Sequence, residues 1–408
     1  MRKSEPTELI SVAEAWELVQ ETCERPATVR VALENAAGRV LAASVRADRD
    51  LPPYHRATMD GIALKAATFQ AGRREFKRQA YAAAGMPGIR LEDLEACIEI
   101  ATGAVLPQGA DAVVRYEDLT ATGQGFCIHA THCQPGQNIH AKGSDARKGD
   151  ILVPMGRVIR PAEIGVLASV GCTDVEVFAL PRICLISSGD ELVEPHRQPE
   201  PHQIRSSNLP VLRAALEQMG MAAELLHLPD HKEVIAQQLS TALRQHDVLI
   251  ITGGVSMGKF DFLPSVLLEL GVEQRFHRVA QRPGKPLWFG WHRSLNCRVF
   301  SLPGNPVSAF LNFHLYFRDW FQSRMGLPRQ VQQARLAGSA ANHTLLTHFR
   351  PATLVRKEGH AWAHEVPMNN SGDFQCLSKA SCFMVLEPGI EDFAEGTLVP
   401  VIPFSPWE

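Results

Sequence analysis

The chain reads as a multidomain protein of α/β and β parts, with a parallel α/β domain towards its centre. Three features of the sequence predict this. Its 408 residues exceed what one hydrophobic core usually organises. From Pro181 to about residue 328, short β-branched runs alternate with helical patterns, the signature of a parallel sheet covered by helices on both faces. Outside that stretch, from about residue 40 to 150 and again after Pro328, Pro and Gly break the chain into short β segments. The earlier of these predicts an inserted β-rich domain, the later a C-terminal β domain of barrel type.

Taken in order, Ser11-Val-Ala-Glu14 is a capping box leading into a helix with Ala13, Trp16, Leu18 and Val19. The β-rich insert then shows strands at Cys97–Ile100, Ala112–Val114 and Phe126–Ile128. Pro161 suits the first turn of a helix that runs through Val170 and stops at Gly171. The α/β part predicts strands at Arg182–Ile186, Glu224–Leu228 and Val248–Ile251, with helices at Val211–Met219, Glu233–Arg244 and Leu263–Leu270. Extended runs follow around 272–280, 287–291 and 298–302, then a long helix from Pro306 into the 320s. In the C-terminal part Cys382–Leu386 and Leu398–Ile402 are the clearest strands.

Composition excludes several function classes. With 45% apolar and 21% charged residues the chain can bury cores, and 41 basic against 44 acidic residues leave a net charge of −3. Neither disorder nor nucleic-acid binding is expected from that balance. No run approaches the ~20 apolar residues of a membrane span, and MRKSEPTELI lacks the apolar core of a secretory signal, so a soluble, cytoplasmic protein is expected. The nine cysteines form no C-x-x-C pair and read as buried reduced thiols; the sixteen histidines are dispersed and none receives a role.

Ligands of open parallel sheets bind beyond the C-terminal strand ends, so the loops there are the place to look for chemistry. Ser187-Ser-Gly-Asp-Glu191 sets two hydroxyls and two carboxylates beside Gly189, although a helix N-cap explains it equally well. In Thr252-Gly-Gly-Val-Ser-Met-Gly258, Gly253 and Gly254 can expose backbone N–H groups which, with Ser256 and Gly258, make a phosphate cradle. Asp261 close by suggests a bridging Mg²⁺; its alternative is a helix N-cap. Arg282-Pro-Gly-Lys-Pro286 and Pro303-Gly-Asn-Pro306 are rigid turns that can aim Arg282 and Lys285 at an anion and let Asn305 and Ser308 address a polar ligand. Ala57-Thr-Met-Asp-Gly61 and Ala101-Thr-Gly-Ala104 read as turns on physical grounds alone.

Together these strings resemble the molybdopterin molybdenumtransferases, the MoeA family, which is related to the E domain of gephyrin. The shared strings are TMDG at 58–61, TGA at 102–104, GADAVV at 109–114, KGSD at 142–145, SSGDELVEP at 187–195, SSN at 206–208, PD at 229–230, TGGVSMG at 252–258, PGKP at 283–286 and PGNPVSAF at 303–310. Ala57 stands for the family's usual serine, Ile62 for an aromatic residue, Lys259 for an acid and Arg282 for a lysine.

The resemblance implies an elongated protomer with four parts: a discontinuous N-terminal helical and linker domain at 1–50 and 145–180, an inserted β domain at 51–144, an α/β molybdopterin-binding domain at 181–328, and a C-terminal β domain at 329–408. It implies a homodimer whose cleft joins the α/β and C-terminal domains of one chain to the inserted domain of the other, and transient contacts with other molybdenum cofactor proteins. The implied reaction inserts molybdate into adenylated molybdopterin with Mg²⁺-assisted release of AMP. Glu191, Asp230 and Asp261 are implied to hold metal or orient water, and Asp60, Thr102, Asp145 and Lys285 to complete the catalytic set. Cofactor binding would fall to Ser187, Ser188, Gly189, Asp190, Asn208, Gly253, Gly254, Ser256, Gly258, Arg282, Pro303, Asn305, Pro306, Ser308, Arg350 and Ser371. Two alternatives stay open: adenylyl transfer to molybdopterin, and a non-catalytic molybdopterin-binding or scaffold paralogue.

Overall fold

The structure, a computed structural model, describes residues 9–254, 262–329 and 331–405. By its internal contacts the chain divides into two units, Arg30–Val177 and Met1–Val29 with Phe178–Glu408.

In the Arg30–Val177 unit six strands form one sheet in the order Ala112–Arg115, Gly61–Leu64, Ala96–Ile100, Glu75–Ala82, Gly125–Ile128, Leu119–Thr122. Both faces are covered: Ile62, Phe76 and Val114 pack on one side, Ala63, Ile98 and Val113 on the other. This is why Gly61–Leu64 is apolar throughout and does not alternate. Ile62 is fully buried in that core. A second cluster, with Leu41, Val153, Ile159 and Leu167, sits against helix Pro161–Ser169. Glu163 tethers that helix by accepting from the Arg160 N–H at 3.0 Å and from Arg157 Nε at 2.8 Å.

The other unit contains the α/β sheet, in the order Ala223–Leu228, Ile183–Ser188, Val248–Thr252, Cys297–Leu302, Trp288–His292, Glu273–His277. The first four strands are parallel. Trp288–His292 runs antiparallel to both its neighbours, Cys297–Leu302 and Glu273–His277, where a parallel sheet was expected. The reason is loop length: Arg293–Asn296 joins Trp288–His292 to Cys297–Leu302, and a parallel crossover needs about a dozen residues. Helices Lys232–Gln245 and Leu263–Glu269 bury Ile235, Leu239, Val266 and Leu267 against one face of the sheet. The helix expected from Pro306 forms, passing through a π-helical turn at Phe313–Arg318 before continuing to Arg324.

Helix Val12–Gln20 carries the capping box read from its sequence, with the Glu14 N–H donating to Ser11 Oγ at 3.1 Å and the Ser11 N–H to Glu14 Oε2 at 2.8 Å. Just after it, the fully buried Arg298 guanidinium donates to the Thr22 carbonyl at 2.6 Å and lies 3.4 Å from Glu24 Oε2. Arg298→Ala strands the Thr22 carbonyl and is expected to cost about 2–3 kcal/mol. Urea denaturation followed by Trp fluorescence reads this; a midpoint equal to wild type would count against the anchoring role.

Five strands of the C-terminal part close on themselves: Thr347–Lys357, His360–Glu365, Gln332–Leu336, Leu398–Pro403 and Cys382–Leu386, the last pairing back to the first. Closure removes the free edges of a small sheet, and Leu336, Met384, Leu386 and Val399 fill the interior. One further strand joins it from outside the C-terminal segment: Gln281–Arg282 pairs parallel with Thr347–His348. Gln281 is buried there, donating to Asn312 Oδ1 at 2.7 Å and accepting from the Tyr316 hydroxyl at 2.6 Å.

All nine cysteines are free thiols. Burial pushes Cys23 and Cys133 up to about 11, and Cys97, Cys184, Cys297 and Cys382 up to about 12, so these six stay protonated at neutral pH.

Candidate functional site

Numbered along the chain, the four parallel strands lie in the order second, first, third, fourth. The winding therefore reverses between Ile183–Ser188 and Val248–Thr252, the topological switch point at which open α/β sheets bind ligands. Ser187 and Ser188 belong to the first of these strands rather than to the loop, and no helix follows them, which removes the N-cap reading. Ser188 Oγ lies 3.4 Å from Asp230 Oδ1, and the Asp230 N–H donates to Asp190 Oδ1 at 3.3 Å. Gly189, at φ +132°, leaves room for the Glu191 carboxylate, whose Oε2 a Cβ would approach to 2.4 Å. Asp190 and Glu191 thus follow one strand end and Asp230 follows the end of the neighbouring strand Ala223–Leu228.

Across the switch point, Gly253 adopts φ +91° and packs so closely that a Cβ would lie 2.8 Å from the Ser188 carbonyl. Its N–H donates to the Leu302 carbonyl at 3.1 Å, and Gly304 lies alongside, with room for a Cβ only 3.6 Å from Gly253 Cα. Asn208 Nδ2 donates to the Gly304 carbonyl at 2.8 Å, and Asn305 Nδ2 to Ser371 Oγ at 2.8 Å. Gly254 turns at φ +68° against Leu263. Ser256, Gly258 and Asp261 lie outside the described residues, as does Lys259. Pro303 is buried below the turn and Pro306 opens the next helix, on which Ser308 is buried.

The basic residues come from another direction. Arg282 stands in the strand added to the barrel, beside His348, and Arg350 is two residues further along that barrel strand. Burial, with the charges of Arg350 and Arg282, holds His348 below the usual histidine range. Arg350 binds Glu365 at 3.1 Å and donates to the Ala341 carbonyl. Lys285 is exposed and carries no ion pair among the described residues.

Two more groupings lie in the Arg30–Val177 unit. Asp60 Oδ1 accepts the Thr102 N–H at 2.7 Å, tying TMDG to ATGA. Asp145 Oδ1 accepts from His140 Nε2 at 2.7 Å, while His140 Nδ1 faces Arg56 Nη2 at 3.0 Å. Arg can only donate, so Nδ1 is the acceptor and the proton sits on Nε2, aimed at Asp145. The hydrogen bond from His140 is the leading cause that lowers the Asp145 carboxyl. In His140→Ala the Asp145 titration is expected to move up towards an ordinary carboxylate, so that protonation sets in at higher pH. Carboxyl ¹³C shifts followed against pH test this, and an unmoved midpoint would show that His140 does not hold the charge.

Sequence reasoning missed His140, His227 and His348: Arg56 and Ser187, which face the first two, lie 84 and 40 residues away, and no recognised motif marks the close pairs His140–Asp145 and Thr344–His348. Among the described residues no three His, Cys, Asp or Glu side chains converge as a metal site. Also among the described residues, no helix is long and apolar enough to cross a membrane.

Comparison with known proteins sets the chain among relatives along nearly its whole length. Residues 10–171 match the model of the MoeA N-terminal region (domains I and II), 184–322 that of a probable molybdopterin binding domain, and 333–404 that of the MoeA C-terminal region (domain IV). A molybdopterin molybdenumtransferase of Synechocystis is 38% identical over 96% of this chain and 99% of its own length. One from Staphylococcus aureus is 31% identical over 96% and 95%. A crystal structure of a molybdopterin biosynthesis MoeA protein from Pyrococcus horikoshii, 30% identical, superposes with a TM-score of 0.83 over 98% of this chain and all of that one.

Proposed function

The chain belongs to the molybdopterin molybdenumtransferase (MoeA) family, and on that premise we propose that it is the transferase that inserts molybdate into adenylated molybdopterin with release of AMP. The observation that carries this reading is the convergence of Ser188, Asp190, Glu191 and Asp230 with the Gly253 and Gly304 backbones at the switch point.

Release of AMP requires water to attack one phosphorus of the pyrophosphate link while its bridging P–O bond breaks. In this reading Asp230 and Glu191 orient that water and Gly254 and Asn305 seat the phosphates, while Gly253, whose N–H is held by the Leu302 carbonyl, lets the strand ends pack closely. Arg282, Lys285 and Arg350 supply positive charge for phosphate or molybdate, both of them anionic substrates. Carboxylate oxygens such as Asp230 Oδ1, beside the Ser188 hydroxyl, are the ligand type a hard cation takes, so in this reading Glu191, Asp230 and Asp261 would hold Mg²⁺. When bound, that ion would neutralise charge on the phosphates. Asp60 and Thr102, tied together by one hydrogen bond, and Asp145, oriented by His140, complete the proposed catalytic set.

The test is AMP release from adenylated molybdopterin by the purified protein with Mg²⁺, with and without molybdate. Molybdate-dependent release supports the reading; ATP-dependent adenylation of molybdopterin in its place, or binding with no turnover, overturns it.

The four-part division at 1–50 with 145–180, 51–144, 181–328 and 329–408, the cytoplasmic location, the handover contacts with other cofactor proteins and the homodimer with a shared cleft belong to the same proposal. A shared cleft makes a sharp prediction. Mixed dimers of Asp60→Ala and Asp230→Ala chains would have one intact site and one doubly altered site, so randomly mixed chains should regain about a quarter of wild-type activity. Absence of recovery would assign both residues to one chain's site.

A further inference from the structure

Asp60 and Thr102 are both exposed, so whatever fixes their pairing lies in the sheet behind them. We infer that Glu99 is a positioning residue for this pair and acts through the hydroxyl of Tyr116. The inference rests on the function proposed above, in which Asp60 and Thr102 belong to the catalytic set, and goes beyond it by naming what holds them in place.

Asp60 directly precedes the strand Gly61–Leu64, which runs between Ala112–Arg115 and Ala96–Ile100. Gly61 pairs with Arg115 on one side and with Ile100 on the other. On the first side the ladder goes one residue further, because the Tyr116 N–H donates to the Asp60 carbonyl at 3.1 Å. On the second side the chain turns, and the Thr102 N–H donates to Asp60 Oδ1 at 2.7 Å. Both neighbouring strands therefore grip Asp60 just past their ends, one at its backbone and one at its carboxylate.

Glu99 stands opposite Ile62 in the register, so its side chain shares the face on which Ile62, Cys97 and Val114 pack. A carboxylate on an apolar face needs partners, and each oxygen has one. The Tyr116 hydroxyl donates to Oε1 at 2.7 Å, and Arg78 Nη1 donates to Oε2 at 2.8 Å. The hydrogen bond from Tyr116, and after it the one from Arg78, holds the Glu99 carboxyl below its ordinary range. Burial, and after it the bond to Glu99, raises the Tyr116 phenol, which stays a donor at neutral pH.

Tyr116 and Glu99 lie on opposite sides of Gly61–Leu64. Adjacent strands are about 4.8 Å apart, so the phenol bridges two strand spacings and passes diagonally over the strand between Asp60 and Ile62. It forms a strap fastened at both ends, by the N–H to the Asp60 carbonyl and by the hydroxyl to Glu99. The ring also packs beside Phe126, with centroids 6.3 Å apart. Among the described residues Glu99 bonds neither Asp60 nor Thr102, so its effect on them is one of placement. Placement matters to rate, since a misplacement of about 1 Å in a reacting group can cost a hundredfold.

Tyr116→Phe removes the hydroxyl and keeps the ring, and Glu99→Leu removes the acceptor and keeps a side chain of similar size. In molybdate-dependent AMP release by the full chain, each is expected to lower kcat about tenfold with KM within about twofold. The double variant should be no slower than either single one, because both cut the same bond. Glu99→Gln, whose amide oxygen can still accept from the phenol, should recover most of the lost rate, a rescue that general weakening of the sheet would not produce. Additive losses, or an unchanged kcat in the well-folded variants, overturn the inference; if Glu99→Leu folds poorly, Tyr116→Phe decides alone. Hydrogen exchange at the Thr102 amide, followed by NMR on ¹⁵N-threonine-labelled protein, separates the two ideas. It should be about tenfold faster in Tyr116→Phe and Glu99→Leu than in the wild type, and an unchanged rate sinks the strap. A wild type without turnover sinks the proposed function and leaves this exchange rate to judge the strap.

Discussion

Gly61→Ala is expected to abolish folding of the Arg30–Val177 unit. A Cβ at this position would lie 1.9 Å from the Val114 carbonyl oxygen and 2.8 Å from Arg115 Cα. Both are backbone atoms of the neighbouring strand, which cannot retreat because Val113 and Val114 are fully buried in the two layers on either side of the sheet. Pairing would have to break between Gly61–Leu64 and Ala112–Arg115, and the cost should reach about 4 kcal/mol or more. Gly38→Ala is the control. It sits at φ +79° with nothing within 4 Å, so it carries only the penalty of a left-handed alanine, about 1 kcal/mol. Limited proteolysis and thermal unfolding distinguish the two; a Gly61→Ala protein as resistant as Gly38→Ala would mean that the strands can separate at little cost.

The second large effect is on turnover. Asp230→Ala should reduce AMP release about 10²- to 10³-fold, the loss typical of one group that stabilises charge developing in the transition state. Stability should change little, since Asp230 is exposed and, among the described residues, its side chain has only the long contact with Ser188. Asp230→Asn separates charge from geometry. If the amide keeps most of the rate, Asp230 orients through hydrogen bonding; if it is as slow as alanine, the negative charge is required. A rate within threefold of wild type in both variants would move the site away from this strand end.

The α/β alternation was legible because the helices have a 3.6-residue apolar period, two of them closed by Gly220 and Gly271, while the central buried strands are short unbroken apolar runs. That same apolar character hid strand direction: Trp288–His292 looks like its parallel neighbours, and only the loop of four residues at 293–296 points to its reversal. Asp60-Gly61 reads as a turn because Asp-Gly usually is one, whereas here the glycine opens a strand and its missing side chain admits a neighbouring carbonyl. Of the candidate site, the strand-end residues followed from topology. The Arg56–His140–Asp145 relay did not, because Arg56 stands 84 residues from His140 and nothing local marks the pair.

The strand Gln281–Arg282 has a bearing on how this chain can be cut and recombined. A division at residue 328 separates segments in sequence but passes through a hydrogen-bonded sheet, because the strand against Thr347–His348 comes from before the cut. A fragment 329–408 would expose that edge as a template for another strand, and self-association is its expected fate. The remaining fragment would keep Gln281, with its bonds to Asn312 and Tyr316, and lose the sheet it completes. Gene fusions and domain transplants that treat the C-terminal barrel as a portable cassette should therefore carry the 281–282 segment with it.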